Sequence, residues 1–373
     1  MSYVAVKGGS EAIENAAKLL HFERIRGSSR PLQVPQIREQ LSFLVDRVMG
    51  EGYLYAPDLA ALAIKQSAGD TFEASFMLRA YRATQPRVGH SLQCDSTGMR
   101  VIRRISAAFK EVPGGQILGP TSDYTLRLLD FELLQDTCAG RKSFIKDLLG
   151  TIPNIDPVPE SFPKIIEVLR KEGLLRDRKR SACGPVAPSD ITRQSLTFPA
   201  TRSAALQTLS RGETGGMLLL AYSSMRGHGD IHPTVGELRV GYVPVKISHP
   251  YTGEPYTVGE IKITEVEIIA RFTDIEGMPR FTLGYGLCFG HNETKAISMA
   301  VLDRAMQAKE SHTVAEDPEF VLSHIDGVES MGFCNHYKLP HYVTFQSELD
   351  RLRKVQGQKE ALPLNGGEQH ETV

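Results

Sequence analysis

Tryptophan is absent from the 373 residues, which by itself excludes nothing. Cysteine is scarce: five residues, odd in number and scattered, with no CxxC pair. That argues against a disulfide framework and against an all-cysteine zinc or iron–sulfur site, and fits reduced thiols. Charge of either sign is not in excess, because 43 Lys and Arg meet 44 Asp and Glu for a formal charge of -1. No overall basic field is available to collect nucleic acid. Long apolar runs are also missing, so no stretch reaches the roughly 18–20 residues of a membrane span. The start, Met1 to Gly9, lacks the basic opening and apolar run of a signal peptide, and a cytoplasmic location is expected.

What is present suits a chain of two or three domains. The fold class expected is α+β: a mostly helical N-terminal region followed by a mixed, largely antiparallel sheet with helices. Residues 1–135 read as the helical domain with a hairpin-like element. Ile37, Leu41, Leu44, Val45 and Val48 recur at helical spacing up to Gly50 and Gly52. Asp70 caps a further helix, with Glu73 as the reciprocal partner and Phe72, Phe76 and Ala80 facing inward. Val101 to Tyr124, with its Pro113-Gly-Gly115 turn, gives the hairpin. Residues 136–195 read as a variable connector holding several prolines, the basic run Arg176 to Arg180 and one helix, Pro163 to Glu172. Residues 196–355 read as the α+β domain, since 238–247, 257–272 and 281–289 are rich in Val, Ile and Tyr with partial alternation. Residues 356–373 are polar and read as a disordered tail.

Three segments concentrate residues with chemistry. Leu283 to Ala296 is a strand–turn–helix in which Gly284, Gly286 and Gly290 precede a helix start, where an anion is favoured by free N–H groups and the helix dipole. Lys295 in the first turn opposes that dipole, an opposition a bound phosphate would offset. The spacing matches neither the P-loop nor the dinucleotide fingerprint, and a Gly-kinked edge strand with an exposed lysine is the other reading. Ala221 to Arg239 gathers Arg226, His228, Asp230, His232, Glu237 and Arg239 around Gly227 and Gly229, as a functional loop or a plain polar one. Val4 to Gly9, Pro113 to Gly115 and Arg202-Ser203 are weaker anion candidates. Lastly, His336 and His341 flank Lys338-Leu-Pro340. Pro340 disfavours helical geometry at Leu339, so a bent loop is expected that lets two imidazoles converge. They are either metal ligands or hydrogen-bonded loop histidines. A structural zinc site takes four ligands and a catalytic one three plus water, so further ligands would come from elsewhere in the chain or from another protein. Cys334 is a neighbouring candidate.

Taken together these segments resemble the PhnI family, subunits of the bacterial carbon–phosphorus lyase core complex. The matching stretches run from Val4 to Gly9, Val45 to Val48, Ala60 to Gln66, Leu78 to Arg82, Thr97 to Arg100, Pro113 to Thr121, Arg127 to Phe131, Leu219 to Ser223, Gly284 to Leu287, Asp303 to Ala305 and Lys338 to Val343. The resemblance implies displacement of adenine from C1′ of ATP by a phosphonate, giving α-D-ribose 1-phosphonate 5-triphosphate. It implies nucleosidase activity on ATP or GTP for the subunit alone. It also implies the companions PhnG, PhnH and PhnJ with the ATPases PhnK and PhnL, in a dimer of heteromers. The radical cleavage of the C–P bond belongs to PhnJ. By the same resemblance His336 and His341 hold a divalent metal, zinc by expectation, shared with PhnJ. The chain departs from the family at His228, where the pattern has tyrosine, and at Cys334, which lies outside it. From residue type and position, Glu237 or Asp303 is expected near C1′, and Arg226, Arg239, Lys295, Gly284 and Gly286 around phosphate. The other class of function is a non-catalytic scaffold whose histidines serve the PhnJ radical enzyme.

Overall fold

The computed structural model describes residues 9–151, 159, 162–176, 188–226, 233–275, 278–308 and 311–360. Along the chain run α1 (Gly9–Ile25), α2 (Val34–Gln40), α3 (Ser42–Gly52), α4 (Pro57–Gln66), α5 (Thr71–Thr84), β1 (Arg100–Ile105), α6 (Cys138–Thr151) and α7 (Ile165–Lys171). Then follow α8 (Arg202–Arg211), α9 (Thr214–Met225), β2 (Thr234–Ser248), β3 (Pro255–Ile275), β4 (Met278–Phe289), α10 (Glu293–Ala305), α11 (Pro318–His324), α12 (Gly327–Tyr337) and α13 (Tyr342–Glu360). The α+β class is as expected. The chain divides into two compact units, Pro31–Val328 and Met1–Arg30 with Glu329–Val373.

The larger unit is built on one antiparallel sheet of order β1-β2-β3-β4. Leu238, Val240, Val266 and Ile268 alternate onto one face and join Met299, Ala300 and Leu302 of α10 with Met217 of α9 in the principal core. The glycines of β4 set how closely α10 approaches. A Cβ on Gly284 would fall 2.1 Å from the Ala300 oxygen, and one on Gly286 2.0 Å from the Ala296 oxygen. The strand–turn–helix read from the sequence is therefore β4 and α10 pressed together through bare backbone.

A second core joins α2 to α5 through Ile37, Val45, Val48, Ala60, Ile64, Ala74 and Leu78. The expected helix over 37–48 is two helices, broken at Leu41 (φ -112°, ψ 39°). Asp70 caps α5 as expected, its carboxylate accepting from the Phe72 and Glu73 amides. The inward face of α5 is Ala74, Ser75 and Leu78, and Phe76 is exposed. The small residues win because α5 packs on α3, where Gly52 lies against Leu78. The hairpin-like element is β1 joined to the following chain by one antiparallel bridge, Arg104 to Ile117.

The stretch expected as a connector is, over 162–176, tied into the sheet. Phe162, Ile165, Ile166 and Leu169 are buried, and Leu175 bridges to Phe281. The segment from Pro318 divides into α11 and α12. In the smaller unit, α13 continues past Gln356 to Glu360, and residues 361–373 lie outside the described residues. No described helix is long and apolar enough to cross a membrane.

Candidate functional site

The histidine pair sits at a helix–turn–helix rather than in a loop. His336 lies in the last turn of α12, and Leu339-Pro340 ends that helix and turns the chain, so that His341 directly precedes α13. The turn brings the two Nε2 atoms to 3.2 Å, with ring centroids 4.8 Å apart and planes at 88°. His341 Nδ1 donates to the Leu339 carbonyl at 2.5 Å, which fixes that proton on Nδ1 and leaves Nε2 with its lone pair. Two imidazole nitrogens brought this close would be the ones to hold a divalent cation, since imidazole is an ordinary zinc ligand. The donor set therefore fits a soft or borderline divalent metal. Among the described residues no group of three His, Cys, Asp or Glu side chains is gathered, so Cys334 does not complete the pair.

In the larger unit, the second face of the sheet carries charge. Glu237 of β2 accepts from Arg104 Nε at 2.6 Å, from Arg239 Nε at 2.8 Å and from the Ile165 amide at 3.0 Å. Arg239, expected at phosphate, is 1% exposed and also donates to the Phe162 carbonyl. Beside them Glu265 accepts from Lys164 Nζ at 2.7 Å, Tyr285 Oη at 2.9 Å and Ser96 Oγ at 3.0 Å. Glu267 pairs across the strands with Glu237 and has Lys164 at 3.7 Å. Burial pushes its carboxyl up to about 7, Lys164 pulling down and Glu265 and Glu237 pushing up. Asp303 of α10 takes both arms of Arg202, at 2.6 and 3.0 Å, and the Tyr285 amide at 2.9 Å.

The start of α10 faces a cleft of about 500 Å³. Its walls are Phe43 and Arg47 of α3, residues 120–123 with Arg127, Thr214 and Leu218 of α9, and His291 to Lys295. Lys295 is fully buried, not exposed, and donates to the Gly212 carbonyl at 2.8 Å. Burial lowers its pKa, with Glu51 opposing. His291 Nε2 lies 2.6 Å from Glu293 Oε1, which Arg103 Nε approaches at 2.8 Å. Gly284 and Gly286 sit within β4 beneath α10 and do not line this cleft. Arg226 ends α9 with its guanidinium 5.7 Å from the Tyr222 ring centre. His228, Asp230 and His232 lie outside the described residues.

The structure thus brings Glu237 and Arg239 together, sets Lys295 in a separate cleft, and places His336 with His341. Sequence reasoning missed Glu267, Arg47, Arg103 and the His291–Glu293 pair. The alternation of Glu265 and Glu267 with Thr264, Val266 and Ile268 was legible, but it reads as an ordinary solvent face.

The family model described as bacterial phosphonate metabolism protein (PhnI) matches residues 2–359. HtxH of Stutzerimonas stutzeri, described as a candidate C-P lyase subunit protein, is 52% identical over 98% of this chain and 99% of its own. The chain named alpha-D-ribose 1-methylphosphonate 5-triphosphate synthase subunit PhnI of Escherichia coli (strain K12) is 47% identical over 95% of this chain and 98% of its own. Its namesake in Rhizobium meliloti (strain 1021) is 44% identical over 98% and 97%. The class is that of proteins of bacterial phosphonate metabolism, and the chain belongs to the PhnI family.

Proposed function

We propose that this chain is the subunit of a cytoplasmic C–P lyase system that displaces adenine from C1′ of ATP by a phosphonate, yielding ribose 1-phosphonate 5-triphosphate. Alone it acts as a purine nucleosidase, with water in place of the phosphonate. Its partners are PhnG, PhnH and PhnJ, with PhnK and PhnL, in a dimer of heteromers. The observation that carries this reading is the near-complete match, end to end, to two chains named as that synthase subunit.

Departure of the base builds positive charge on the ribose, which a carboxylate stabilises. Protonation of a purine nitrogen makes adenine a better leaving group. The carboxylate is proposed to be Glu237 or Asp303. Glu237 carries two arginines and an amide, while the arginine on Asp303 is 40% exposed, so Asp303 is the more approachable. Arg226, Arg239 and Lys295 are proposed to hold anionic oxygens, the two buried ones by polarising the walls around them. His336 and His341 would hold a divalent metal, zinc by chemistry, completed by a partner chain; when bound it supplies a Lewis acid for phosphate oxygens.

The test is adenine release from ATP by the purified chain, and by the chain with its companions and methylphosphonate. Release with the companions that is abolished by omitting this chain supports the reading. Undiminished release without it removes the reading. Near-normal turnover in Asp303→Asn or Glu237→Gln removes that residue from the catalytic role. The scaffold alternative draws on the two-ligand metal site, which needs outside donors. It predicts that His336→Ala complexes release adenine normally and fail only at C–P cleavage.

A further inference from the structure

We propose that the apolar stretch from 124 to 150 is a docking surface for a second copy of this chain, the acidic segment 124–136 of each copy lying on the basic helix α6 of the other. The surface belongs to the larger unit and uses none of the residues assigned above to chemistry. It deepens the dimer of heteromers proposed above and rests on that reading only for there being two copies to join.

The first observation is exposure. Every residue from 122 to 150 is exposed, over a length that holds a short 3-10 helix, Phe131–Gln135, and α6. Leu126, Leu128, Leu129, Phe131, Leu133 and Leu134 are 63–86% exposed. On α6, Phe144, Ile145, Leu148 and Leu149 recur at helical spacing along one face and are 42–68% exposed. At ~150 Å² for a large apolar side chain, these residues leave on the order of 1,000 Å² of apolar surface in water. The largest apolar patch of an ordinary monomer is about 300–600 Å². A stable interface takes about 800 Å² from each partner, so the stretch carries the apolar surface an interface needs.

The second observation is charge. From 124 to 136 stand Asp130, Glu132 and Asp136 against Arg127 alone, while α6 carries Arg141, Lys142 and Lys146 against Asp147. Asp130 is occupied by the Glu132 amide and Asp147 by the Ser143 hydroxyl. Among the described residues, Glu132, Asp136, Arg141, Lys142 and Lys146 make no ion pair. Lys142 and Lys146, four residues apart, border the apolar face of α6. One half of the stretch is therefore apolar and acidic, the other apolar and basic. Each has the composition that the other would accept: an apolar centre with opposite charge at its rim.

The two halves do not cover each other within one chain, since both stand exposed. Between two chains they can. A two-fold axis lets the acidic segment of each copy meet α6 of the other, so the same contact is made twice and the assembly closes at two. Pairing α6 with α6, or the acidic segment with its own copy, would set like charges together, which fixes the crossed arrangement.

The test is sedimentation of the purified full chain at micromolar concentration, where a dimer is expected. Phe144→Asp puts a charge into the apolar face of α6. Lys142→Glu with Lys146→Glu reverses the basic half, and Glu132→Lys with Asp136→Lys reverses the acidic half. Each of these three variants should weaken the dimer roughly tenfold or more. All five positions are exposed, so the fold is expected to survive, and circular dichroism checks it. The decisive arm mixes the two charge-reversed chains. The acidic α6 of one then faces the basic segment of the other, and the basic α6 of the second faces the acidic segment of the first, so the dimer should return in the mixture and in neither chain alone. Mixing would not repair a substitution that merely damaged the fold. A monomeric wild type overturns the proposal, including one that associates only with a different companion chain. A dimer that the variants leave unchanged, or a mixture that stays monomeric, overturns it too. Sedimentation involves no turnover, so a dimer that releases no adenine defeats the functional reading and leaves the surface standing.

Discussion

Replacing Gly286 by alanine separates two uses of the β4 glycines. The added Cβ would lie 2.0 Å from the Ala296 oxygen, 2.9 Å from its carbon and 3.1 Å from the Ala300 nitrogen, all backbone atoms of α10. Real Cβ atoms do not come within 3.0 Å, and a helix backbone cannot swing aside as a side-chain end can. Strand and helix must therefore part by about 1 Å, which forfeits a quarter to a half of the dispersion energy of each contact along the seam. The seam holds Ala296, Met299 and Ala300 against Val266 and Ile268, all buried. Overpacking of this kind costs about 3 kcal/mol or more. With an unfolding entropy of about 2.1 cal/mol/K per residue over a unit of roughly 300 residues, that is a fall in Tm of about 5 °C. Differential scanning calorimetry of Gly286→Ala reads it. If the glycine instead serves a phosphate, Tm would hold and phosphate binding by the folded protein would fall. An unchanged Tm would refute the packing argument.

Two further outcomes are expected. Glu267, at about 7 when folded against an ordinary value of 4.5, binds its proton more tightly in the folded state, so its contribution is lost as pH rises from about 4.5 to 7. At about 1.4 kcal/mol per pH unit the full effect is ~3 kcal/mol. Glu267→Gln should therefore gain on the wild type between pH 5 and pH 8 in urea-unfolding midpoints, and an equal difference at both pH values would contradict the burial argument. For the imidazole pair, His336→Ala leaves one Nε2 donor where two now face each other at 3.2 Å. Metal content of the purified complex, measured by mass spectrometry, should drop by about one ion per chain; full retention would take the metal away from this pair.

Much of the candidate chemistry was visible in the residues, but not its surroundings. His336 and His341 stood out because Pro340 lies between them, and the turn it makes does bring the imidazoles together. That the first histidine sits on a helix was hidden, since Gly332 to Tyr337 has no strong helical pattern and α12 is continuous with α11 in composition. Lys295 stands out in the sequence as a cation at a helix start, there either for a phosphate or as an exposed lysine, and it is buried. Its burial depends on the Gly212 carbonyl, 83 residues away in sequence. The charged face of the sheet misled for the same reason. Glu237, Arg239, Glu265 and Glu267 alternate with apolar residues as a wetted strand would, but residues 162–165, read as part of a connector, reach them through the Phe162 carbonyl on Arg239, Lys164 on Glu265 and the Ile165 amide on Glu237.

By itself the sequence determined the α+β class, the three long strands, the Asp70 cap and the family, because these follow from local periodicity, capping chemistry and collinear motifs. The tertiary structure alone decided that the β4 glycines admit a helix, that Glu237 balances two buried arginines, and that a cleft opens at the start of α10. Each of those depends on which distant backbone comes within 3 Å of a given atom, and no local pattern encodes that distance.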